Sequence, residues 1–251
     1  MTPMDTVNLS VIIPCHNEAK NIVPLVSSLL EVFKRNSIEG EIVVVNDNST
    51  DETASQVRDM MQRHQCIKLV ERRDGRCGVG RTLKAGFEHA DGDIIITMDG
   101  DLSHDPADVP RFLHEIEAGA DLVIGSRYGR VGGEAHMPIF RKLTSGGYNR
   151  MAKLLFHTNL ADVTTGYRAI RKSALDKLHL SSNGFAIHPE IQLKALNSHL
   201  RITQIPIVYQ RRLSGSSKLQ YLRVGFPYIK VLTTELYKKW LGKTMPQQHT
   251  K

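Results

Sequence analysis

The sequence predicts an α/β fold in which a mostly parallel sheet carries helices on both faces. Strand and helix signals alternate through the first half of the chain, an order that is typical of parallel sheets with helical crossovers. Several strand candidates, such as residues 41–45 and 93–98, are almost entirely apolar, as expected of strands covered on both faces. The chain of 251 residues, 41% of them hydrophobic, is long enough to bury one large core.

The first elements follow from hydrophobic spacing. Residues 9–13 predict a short strand that ends at Pro14. Apolar residues within 22–33 recur at the spacing of one helix face and predict an amphipathic helix. Residues 41–45 predict the next strand. Residues 49–52 have the S-x-x-E form of a capping box, so we expect a helix to begin there.

The same alternation continues to residue 124. Residues 67–70 predict a strand, residues 79–89 a helix and residues 93–98 a further buried strand. Asp105 and Pro106 place a capping residue before a proline, which predicts a helix that ends near Ala118. Residues 122–124 predict the last strand of this series.

The second half of the chain has weaker patterns. Residues 125–147 are polar and rich in glycine, which predicts a long, mobile loop. Near the C-terminal end, apolar residues recur at helical spacing beside lysines: Tyr228, Ile229, Leu232, Leu236, Trp240, Lys230, Lys238, Lys239 and Lys243. We therefore expect one domain over residues 1–219 and an amphipathic helix and tail over residues 220–251. This helix either binds a membrane interface or packs on the chain's own core or on a partner subunit.

Charge and cysteine content limit the classes of partner. The formal net charge of +7 favours polyanions, namely nucleic acid, an acidic membrane face or phosphorylated small molecules, although charge taken alone is better explained as solvated surface charge. The basic residues form no run typical of a nucleic-acid-binding arm. The 3 cysteines have no metal-ligand or redox spacing, and the chain begins without signal-peptide features, so a cytosolic setting is expected. The apolar runs fall short of the roughly 20 residues of a membrane-spanning helix.

Polar segments follow the predicted strands and should meet in one crevice. They cover residues 14–18, 46–49, 72–80 and 99–103, and ligands of such sheets bind beyond the carboxyl ends of the strands. Asp99 and Asp101 follow a buried strand directly. Two carboxylates at this position favour a shared divalent cation that holds phosphate oxygens, and we expect Asp101 to be exposed. A simple turn with two aspartates is the alternative.

The familiar phosphate-binding loops do not occur in this sequence. There is no G-x-x-x-x-G-K-[ST] loop, and the first strand is not followed by G-x-G-x-x-G. A nucleotide must therefore be held by other means. One candidate is the arginine- and glycine-rich segment 72–81, which either approaches a phosphate or forms an ordinary turn.

The ordered motifs resemble those of family 2 glycosyltransferases. They are VIIPCHNE at 11–18, NDNSTD at 46–51, DGDLSH at 99–104 and GSRY at 125–128. Further motifs are similar to the dolichyl-phosphate mannose synthase group, namely FRK at 140–142, TGYR at 165–168 and RLSGSSKL at 212–219. The resemblance implies an inverting enzyme of the GT-A fold that transfers a hexose, most simply mannose from GDP-mannose, to a polyprenyl (dolichyl-type) phosphate. It further implies Mg²⁺ or Mn²⁺ and a peripheral location at the cytosolic membrane face.

The resemblance also assigns roles to individual residues. It implies contacts to the base and ribose of the nucleotide-sugar from Pro14, His16, Glu18, Val45 and Asp47. It implies contacts to the diphosphate and its metal from Asp99, Gly100, Asp101 and Ser103, with Asp99, Asp101 and Ser103 as metal ligands. The reacting phosphates should be surrounded by Arg127, Arg141, Arg212 and Lys218. The chain departs from the family pattern at His16, Asn46 and Ala186, which bears on base selectivity and on one phosphate contact.

Other interpretations remain open at this point. A polyprenyl-phosphate glucosyl- or N-acetylhexosaminyltransferase would use a UDP-sugar with the same fold, and a non-catalytic nucleotide-sugar-binding subunit would keep the fold without turnover. A membrane-spanning partner subunit is possible in each case. Arg127 either contacts phosphate or bridges a carboxylate of the protein. His104 and His188 favour structural roles, and Glu190 favours the start of a helix over a substrate contact.

Overall fold

A computed structural model describes residues 9–128, 137–210 and 221–244. In this part of the chain the strands are β1 Leu9–Cys15, β2 Gly40–Asp47, β3 Ile67–Arg72, β4 Ile94–Thr97, β5 Leu122–Ser126, β6 Arg168–Arg171 and β7 Ile202–Pro206. They form one seven-stranded sheet in the order β3-β2-β1-β4-β6-β5-β7. Only β6 runs antiparallel to its neighbours, β4 and β5. The predicted, mostly parallel α/β sheet is therefore confirmed.

Helices cover both faces of the sheet. They are α1 Ile22–Arg35, α2 Thr53–Met61, α3 Val79–His89, α4 Val109–Glu117, α5 Ile139–Phe156, α6 Lys172–Leu175, α7 Ile187–Asn197 and α8 Tyr221–Thr244, with short 3-10 turns at Pro106–Asp108 and Asp176–Leu178. Successive side chains of a strand point to opposite faces. Accordingly, Val11 packs with α1 and α4 in one core, whereas Ile12 packs with α3 and α7 in the other.

Two helix starts in the first half carried a predicted cap, and the structure confirms one of them. The Asp105 carboxylate accepts the Ala107 N–H at 2.9 Å, which confirms it as a cap. The predicted capping box at residues 49–52 is wrong, because the Ser49 hydroxyl accepts the Asn17 N–H instead. Helix α2 instead begins after Glu52, which makes no side-chain capping bond, and the carboxylate of the preceding Asp51 accepts the Thr53 N–H at 3.0 Å.

The predicted loop over residues 125–147 is wrong in its last part, because helix α5 begins at Ile139. Glycines and polar residues give this segment a low intrinsic helix propensity. Tertiary burial compensates, since Tyr148, Ala152 and Phe156 lie at helical spacing against the core. Residues 129–136 lie outside the described residues.

Helix α8 packs on the domain along one face. Leu232 and Glu235 are buried, and the Asn197 side chain of α7 donates to the Glu235 backbone oxygen at 2.9 Å. Phe226, Ile229, Tyr237 and Trp240 are exposed on α8. Packing on the chain's own core is thus confirmed for one face. Among residues 9–128, 137–210 and 221–244, no helix combines the length and apolar character that a membrane span requires.

Candidate active site

The carboxyl ends of β1, β2 and β4 open onto one pocket of about 1020 Å³. All the segments that the sequence placed at strand ends contribute to it, through Pro14, Cys15, His16, Glu18, Asp47, Cys77, Gly78, Asp99, Gly100 and Asp101. The predicted crevice is therefore confirmed. The opposite wall comes from Arg141, from residues 181–186 with Glu190, and from α8.

The loops after β1 and β2 are bonded to each other. The His16 Nδ1 lies 2.6 Å from the Asp47 backbone oxygen. Asn17 adopts a left-handed backbone with φ of 57°, which asparagine tolerates, and its side-chain oxygen accepts the Thr50 N–H at 2.8 Å. This network holds Pro14, His16 and Glu18 at the pocket, where the family resemblance places the nucleotide base.

Asp47 is fixed by groups from two neighbouring elements. Its carboxylate pairs with the Arg72 guanidinium at 2.6 Å and accepts the Gly78 N–H at 2.8 Å. Gly78 precedes α3, so the pair joins the end of β3 to the start of that helix. Val45 is fully buried beneath this layer and does not line the pocket, so its expected contact with the donor stays a prediction.

Asp99 and Asp101 both face the pocket from the loop after β4. The expectation that Asp101 is exposed is wrong, because the residue is only 4% exposed. Its carboxylate accepts the Ser103 N–H at 3.0 Å, which satisfies one buried oxygen and orients the group. The Asp99 N–H donates to His104 Nδ1 at 3.2 Å. Gly100 admits no side chain between them, since a Cβ would lie 2.8 Å from the Cys15 sulfur.

Ser103 was expected to bind the metal from the pocket, but it does not line the pocket. It is fully buried and absent from the pocket lining, and its hydroxyl has no hydrogen-bond partner within the described residues. The structure therefore gives its backbone N–H, rather than its hydroxyl, a visible role beside Asp101. Its role as a metal ligand stays a prediction.

The donor set of the pocket suits a hard divalent cation that is shared with a substrate. Within the described residues, no three His, Cys, Asp or Glu side chains converge as a complete metal site. The pocket instead presents the Asp99 and Asp101 carboxylates. Mg²⁺ is usually bound by one or two carboxylates together with substrate phosphates and water, and carboxylate oxygens also suit Mn²⁺. The residues present thus fit Mg²⁺ or Mn²⁺ held jointly with a diphosphate.

Arg127 lies away from the pocket, against Asp162. Its Nε and Nη2 donate to the two carboxylate oxygens at 2.7 and 2.9 Å, and Nη2 also donates to the Thr164 hydroxyl at 2.7 Å. Burial disfavours both charges, but each charge stabilises the other, so the pKa of Asp162 is lowered and that of Arg127 is raised. The carboxylate-bridging alternative describes this geometry, and the expected phosphate contact stays a prediction.

The remaining basic candidates fall into two groups. Arg141 lies on α5 and lines the pocket, where its Nη1 donates to the Tyr209 hydroxyl at 2.7 Å. Arg212 and Lys218 lie outside the described residues, so their expected contacts with the reacting phosphates stay predictions.

Glu190 was expected to start a helix, and the structure gives it a larger part in the pocket wall. It lies in the first turn of α7, and its carboxylate accepts the Ser181 and Ser182 N–H groups at 2.8 and 2.7 Å and pairs with Lys194 at 2.8 Å. Burial raises its pKa, but the hydrogen bonds from Lys194, Ser181 and Ser182 outweigh burial and lower it to about 2. Its carboxylate thereby fixes the backbone at Ser181 and Ser182, within the segment 181–186 of the pocket wall. Sequence analysis missed this role, because no local motif indicates that a carboxylate will bind backbone N–H groups eight and nine residues earlier in the chain.

The buried histidines have the structural roles that the sequence favoured. His104 stacks on Tyr167 with ring centroids 4.8 Å apart. His188 Nδ1 accepts from Arg168 at 2.7 Å. Burial lowers the pKa of both histidines, which keeps them neutral and able to accept these hydrogen bonds.

Comparison with known proteins gives a consistent pattern. The model of the family Glycosyl transferase family 2 matches residues 10–179. A dolichol-phosphate mannosyltransferase of Pyrococcus furiosus is 32% identical over 94% of this chain and 65% of the relative. A polyprenol monophosphomannose synthase of Mycolicibacterium smegmatis is 31% identical over 88% of this chain and 84% of the relative. The chain thus spans about 65% of the length of the Pyrococcus relative.

Solved structures show the same architecture. The glucosyl-3-phosphoglycerate synthase of Mycobacterium tuberculosis, in complex with Mn²⁺, uridine diphosphate and glucosyl-3-phosphoglycerate, aligns with a TM-score of 0.66 and 19% identity. The alignment covers 92% of this chain and 80% of that chain. At this identity the likeness establishes the fold, which is the GT-A fold that the sequence motifs implied.

Proposed function

The chain belongs to glycosyltransferase family 2, and from this premise we propose that it transfers mannose from GDP-mannose to a polyprenyl (dolichyl-type) phosphate. One observation carries the proposal. A single pocket joins a carboxylate pair, Asp99 and Asp101, to a basic group, Arg141, and to an apolar wall. The names of the curated relatives support this acceptor class and this sugar.

The donor half of the pocket suits a nucleotide diphosphate-sugar. We assign the base and ribose to the loops that carry His16 and Asp47, and the diphosphate to the loop of Asp99 and Asp101. A bound Mg²⁺ or Mn²⁺ would neutralise charge on the departing diphosphate. The Mn²⁺ and uridine diphosphate in the mycobacterial structure support this arrangement.

The acceptor half suits a group that is already anionic. A sugar hydroxyl must lose a proton during attack and needs a general base. Glu190 is poorly suited to that task, because Ser181, Ser182 and Lys194 occupy its oxygens and hold its pKa at about 2. A phosphate monoester needs only positioning and charge compensation, which Arg141 supplies in the pocket. We assign the same role to Arg212 and Lys218.

The proposed reaction is a single in-line displacement. A phosphate oxygen of the acceptor forms a bond to the anomeric carbon, while the bond from that carbon to the diphosphate oxygen breaks. The electron pair leaves with the nucleoside diphosphate, and the configuration inverts. Arg141 offsets the repulsion between the two phosphates, and the pocket holds them in line.

The outer part of the molecule suits a lipid-anchored acceptor. The pocket wall includes Phe185, Phe226, Pro227 and Val231. Exposed apolar residues continue from there over α5 and α8, which pack together through Tyr148 and Tyr228. This α5–α8 surface consists of Ile139, Phe140, Leu143, Met151, Leu154, Phe226, Ile229, Tyr237 and Trp240. The same two helices also carry basic residues, namely Lys142, Arg150 and Lys153 on α5 and Lys230 and Lys238 on α8. We propose that this surface lies on the cytosolic face of a membrane, where basic residues favour anionic lipids.

A panel of donors tests the proposal directly. The protein is incubated with Mn²⁺, a short polyprenyl phosphate and, in turn, GDP-mannose, GDP-glucose, UDP-glucose or UDP-N-acetylglucosamine. We expect lipid-linked mannose from GDP-mannose. Transfer from a UDP-sugar alone would support the glucosyl or N-acetylhexosaminyl alternative. Binding of donor without any transfer would support a non-catalytic subunit.

A further inference from the structure

We propose that Tyr209 is a positioning residue that holds Arg141 in place for the acceptor phosphate. The inference rests on the proposed function, because it concerns how the same pocket receives its second substrate. Tyr209 lies three residues beyond the end of β7 and outside the sequence motifs that carry the family resemblance. Its side chain is only 3% exposed, although it reaches the guanidinium of a pocket residue.

Tyr209 holds Arg141 by two interactions at once. Its hydroxyl accepts a hydrogen bond from Arg141 Nη1 at 2.7 Å. The guanidinium carbon also lies 5.0 Å from the centroid of the Tyr209 ring, within cation–π range. A long side chain loses rotamer freedom when it binds a ligand. Because Tyr209 fixes the guanidinium beforehand, less of that freedom remains to be lost when a phosphate binds.

Tyr209 also packs near the loop after β4, residues 99–104, which carries Asp99 and Asp101. Its ring lies edge-on to His104, with centroids 6.5 Å apart. His104 in turn accepts the Asp99 N–H at 3.2 Å. The backbone is fixed on both sides, since Ile207 N–H donates to Ser126 and Gln210 N–H donates to Ser103, each at 3.0 Å. Tyr209 therefore stands between the donor-side carboxylates and the acceptor-side arginine.

The charge of Arg141 is available for an anion. Within residues 9–128, 137–210 and 221–244, Arg141 forms no ion pair with a carboxylate, and its hydrogen bond goes to the Tyr209 hydroxyl. Arg127 is the opposite case, because Asp162 neutralises it. A guanidinium that is oriented but not neutralised, at the edge of a phosphate-binding pocket, has the properties of a preformed anion site.

Tyr209→Phe isolates the hydroxyl, because phenylalanine keeps the ring against His104 and the face under Arg141. We expect kcat/KM for polyprenyl phosphate to fall about tenfold, the usual effect of losing a hydrogen bond to a charged group. The Kd for GDP-mannose should stay unchanged. The matched control is Tyr167→Phe. Tyr167 is also buried and its ring stacks on His104, but its hydroxyl donates to the Asp105 backbone oxygen at 2.8 Å. The control should keep its acceptor kcat/KM.

A double-mutant cycle separates positioning from a structural role. In an Arg141→Met background, Tyr209→Phe should cause no further loss, because its effect acts through Arg141. An equal loss in both backgrounds, or an equal loss in Tyr167→Phe, would overturn the proposal.

If Tyr209→Phe melts well below the native protein, Arg141→Lys tests the same contact, since lysine keeps the charge without the planar fork. A native acceptor kcat/KM in Arg141→Lys would also overturn it. Failure of the proposed function itself would show separately, as no transfer to polyprenyl phosphate by the native protein.

Discussion

Arg127 and Asp162 form a buried, two-point ion pair between the end of β5 and the segment that precedes β6. The guanidinium is 2% exposed and the carboxylate is fully buried. Asp162 also accepts the Thr164 N–H at 3.1 Å and the Asn149 side-chain amide at 3.3 Å. Because Asn149 belongs to α5, this carboxylate joins that helix to the sheet edge on which the pocket opens.

The first prediction concerns this pair. Asp162→Asn should lower the free energy of unfolding by about 3–5 kcal/mol, because it leaves the Arg127 charge buried without a partner. Urea unfolding followed by circular dichroism measures the change. The control is Glu31→Gln, which removes an exposed partner of Arg35 and should leave stability unchanged. A stability close to that of the native protein in Asp162→Asn would mean that the pair contributes little, and would favour a direct role for Arg127 at the phosphates.

The second prediction concerns divalent cations. In Asp101→Asn the Ser103 N–H keeps an oxygen acceptor, so the loop should remain folded, but one carboxylate is lost. We expect Mn²⁺ to enhance GDP binding to the native protein, and this enhancement to fall at least about tenfold in the variant. Calorimetry with and without Mn²⁺ measures it, and Asp91→Asn, which alters a surface carboxylate paired with Lys68, is the control. An undiminished Mn²⁺ effect, or full transfer in excess chelator, would contradict the prediction.

The third prediction concerns the acid sensitivity that Glu190 confers. Its pKa is lowered from 4.5 to about 2 in the folded protein. A carboxylate with a lowered pKa stabilises the fold fully above its unfolded pKa, and this contribution is lost as the pH falls through the folded pKa. Glu190→Gln lacks the contribution. The difference in unfolding free energy between native protein and variant should therefore be constant above about pH 5 and should narrow toward about pH 2. Urea titrations across this range measure it, and a difference independent of pH would refute the assigned role.

The fourth prediction concerns the α5–α8 surface. Because Leu232 and Glu235 of α8 are buried, deletion of the helix would expose the core, and point substitutions give a cleaner test. The double variant Leu154→Asp and Trp240→Asp alters residues that are 66% and 60% exposed. It should bind anionic vesicles at least about tenfold more weakly than the native protein, and native binding should weaken with salt.

Vesicle sedimentation provides the measurement for this fourth prediction. Met61→Asp alters an exposed apolar residue on α2, away from the proposed surface, and should bind vesicles like the native protein. Equal binding by the native protein and the double variant would exclude the α5–α8 surface as the membrane contact. The exposed apolar face would then require another partner.

The first half of the fold could be predicted from sequence because its signals are local. Helix α3 begins and ends where its spacing indicated, and the strand ends gave the pocket. Strand β6 could not be found in this way. It has four residues with an arginine at each end, and it exists because it pairs with both β4 and β5. Helix α7 has no amphipathic pattern, since Glu190 and Gln192 are buried along with its apolar residues.

The site was predictable to the extent that its residues adjoin strand ends. Asp99 and Asp101 could be placed because they directly follow an apolar strand. The position of Arg127 could not be derived, because its partner Asp162 lies 35 residues further along the chain. The same limit applies to Tyr209, whose contact with Arg141 spans 68 residues. Side-chain pairs of this kind depend on how strands and helices assemble, and no local pattern records them.

The central claim is that the acceptor is a phosphate, and a comparison of two matched acceptors tests it most directly. The native protein is given radiolabelled GDP-mannose, Mn²⁺ and equal amounts of a short polyprenyl phosphate and of the corresponding polyprenol. The account predicts that lipid-bound label appears on the phosphate alone, because the pocket offers Arg141 to an anion while Glu190 is occupied by Ser181, Ser182 and Lys194. Equal labelling of the polyprenol, or release of the label only as free mannose, would contradict it.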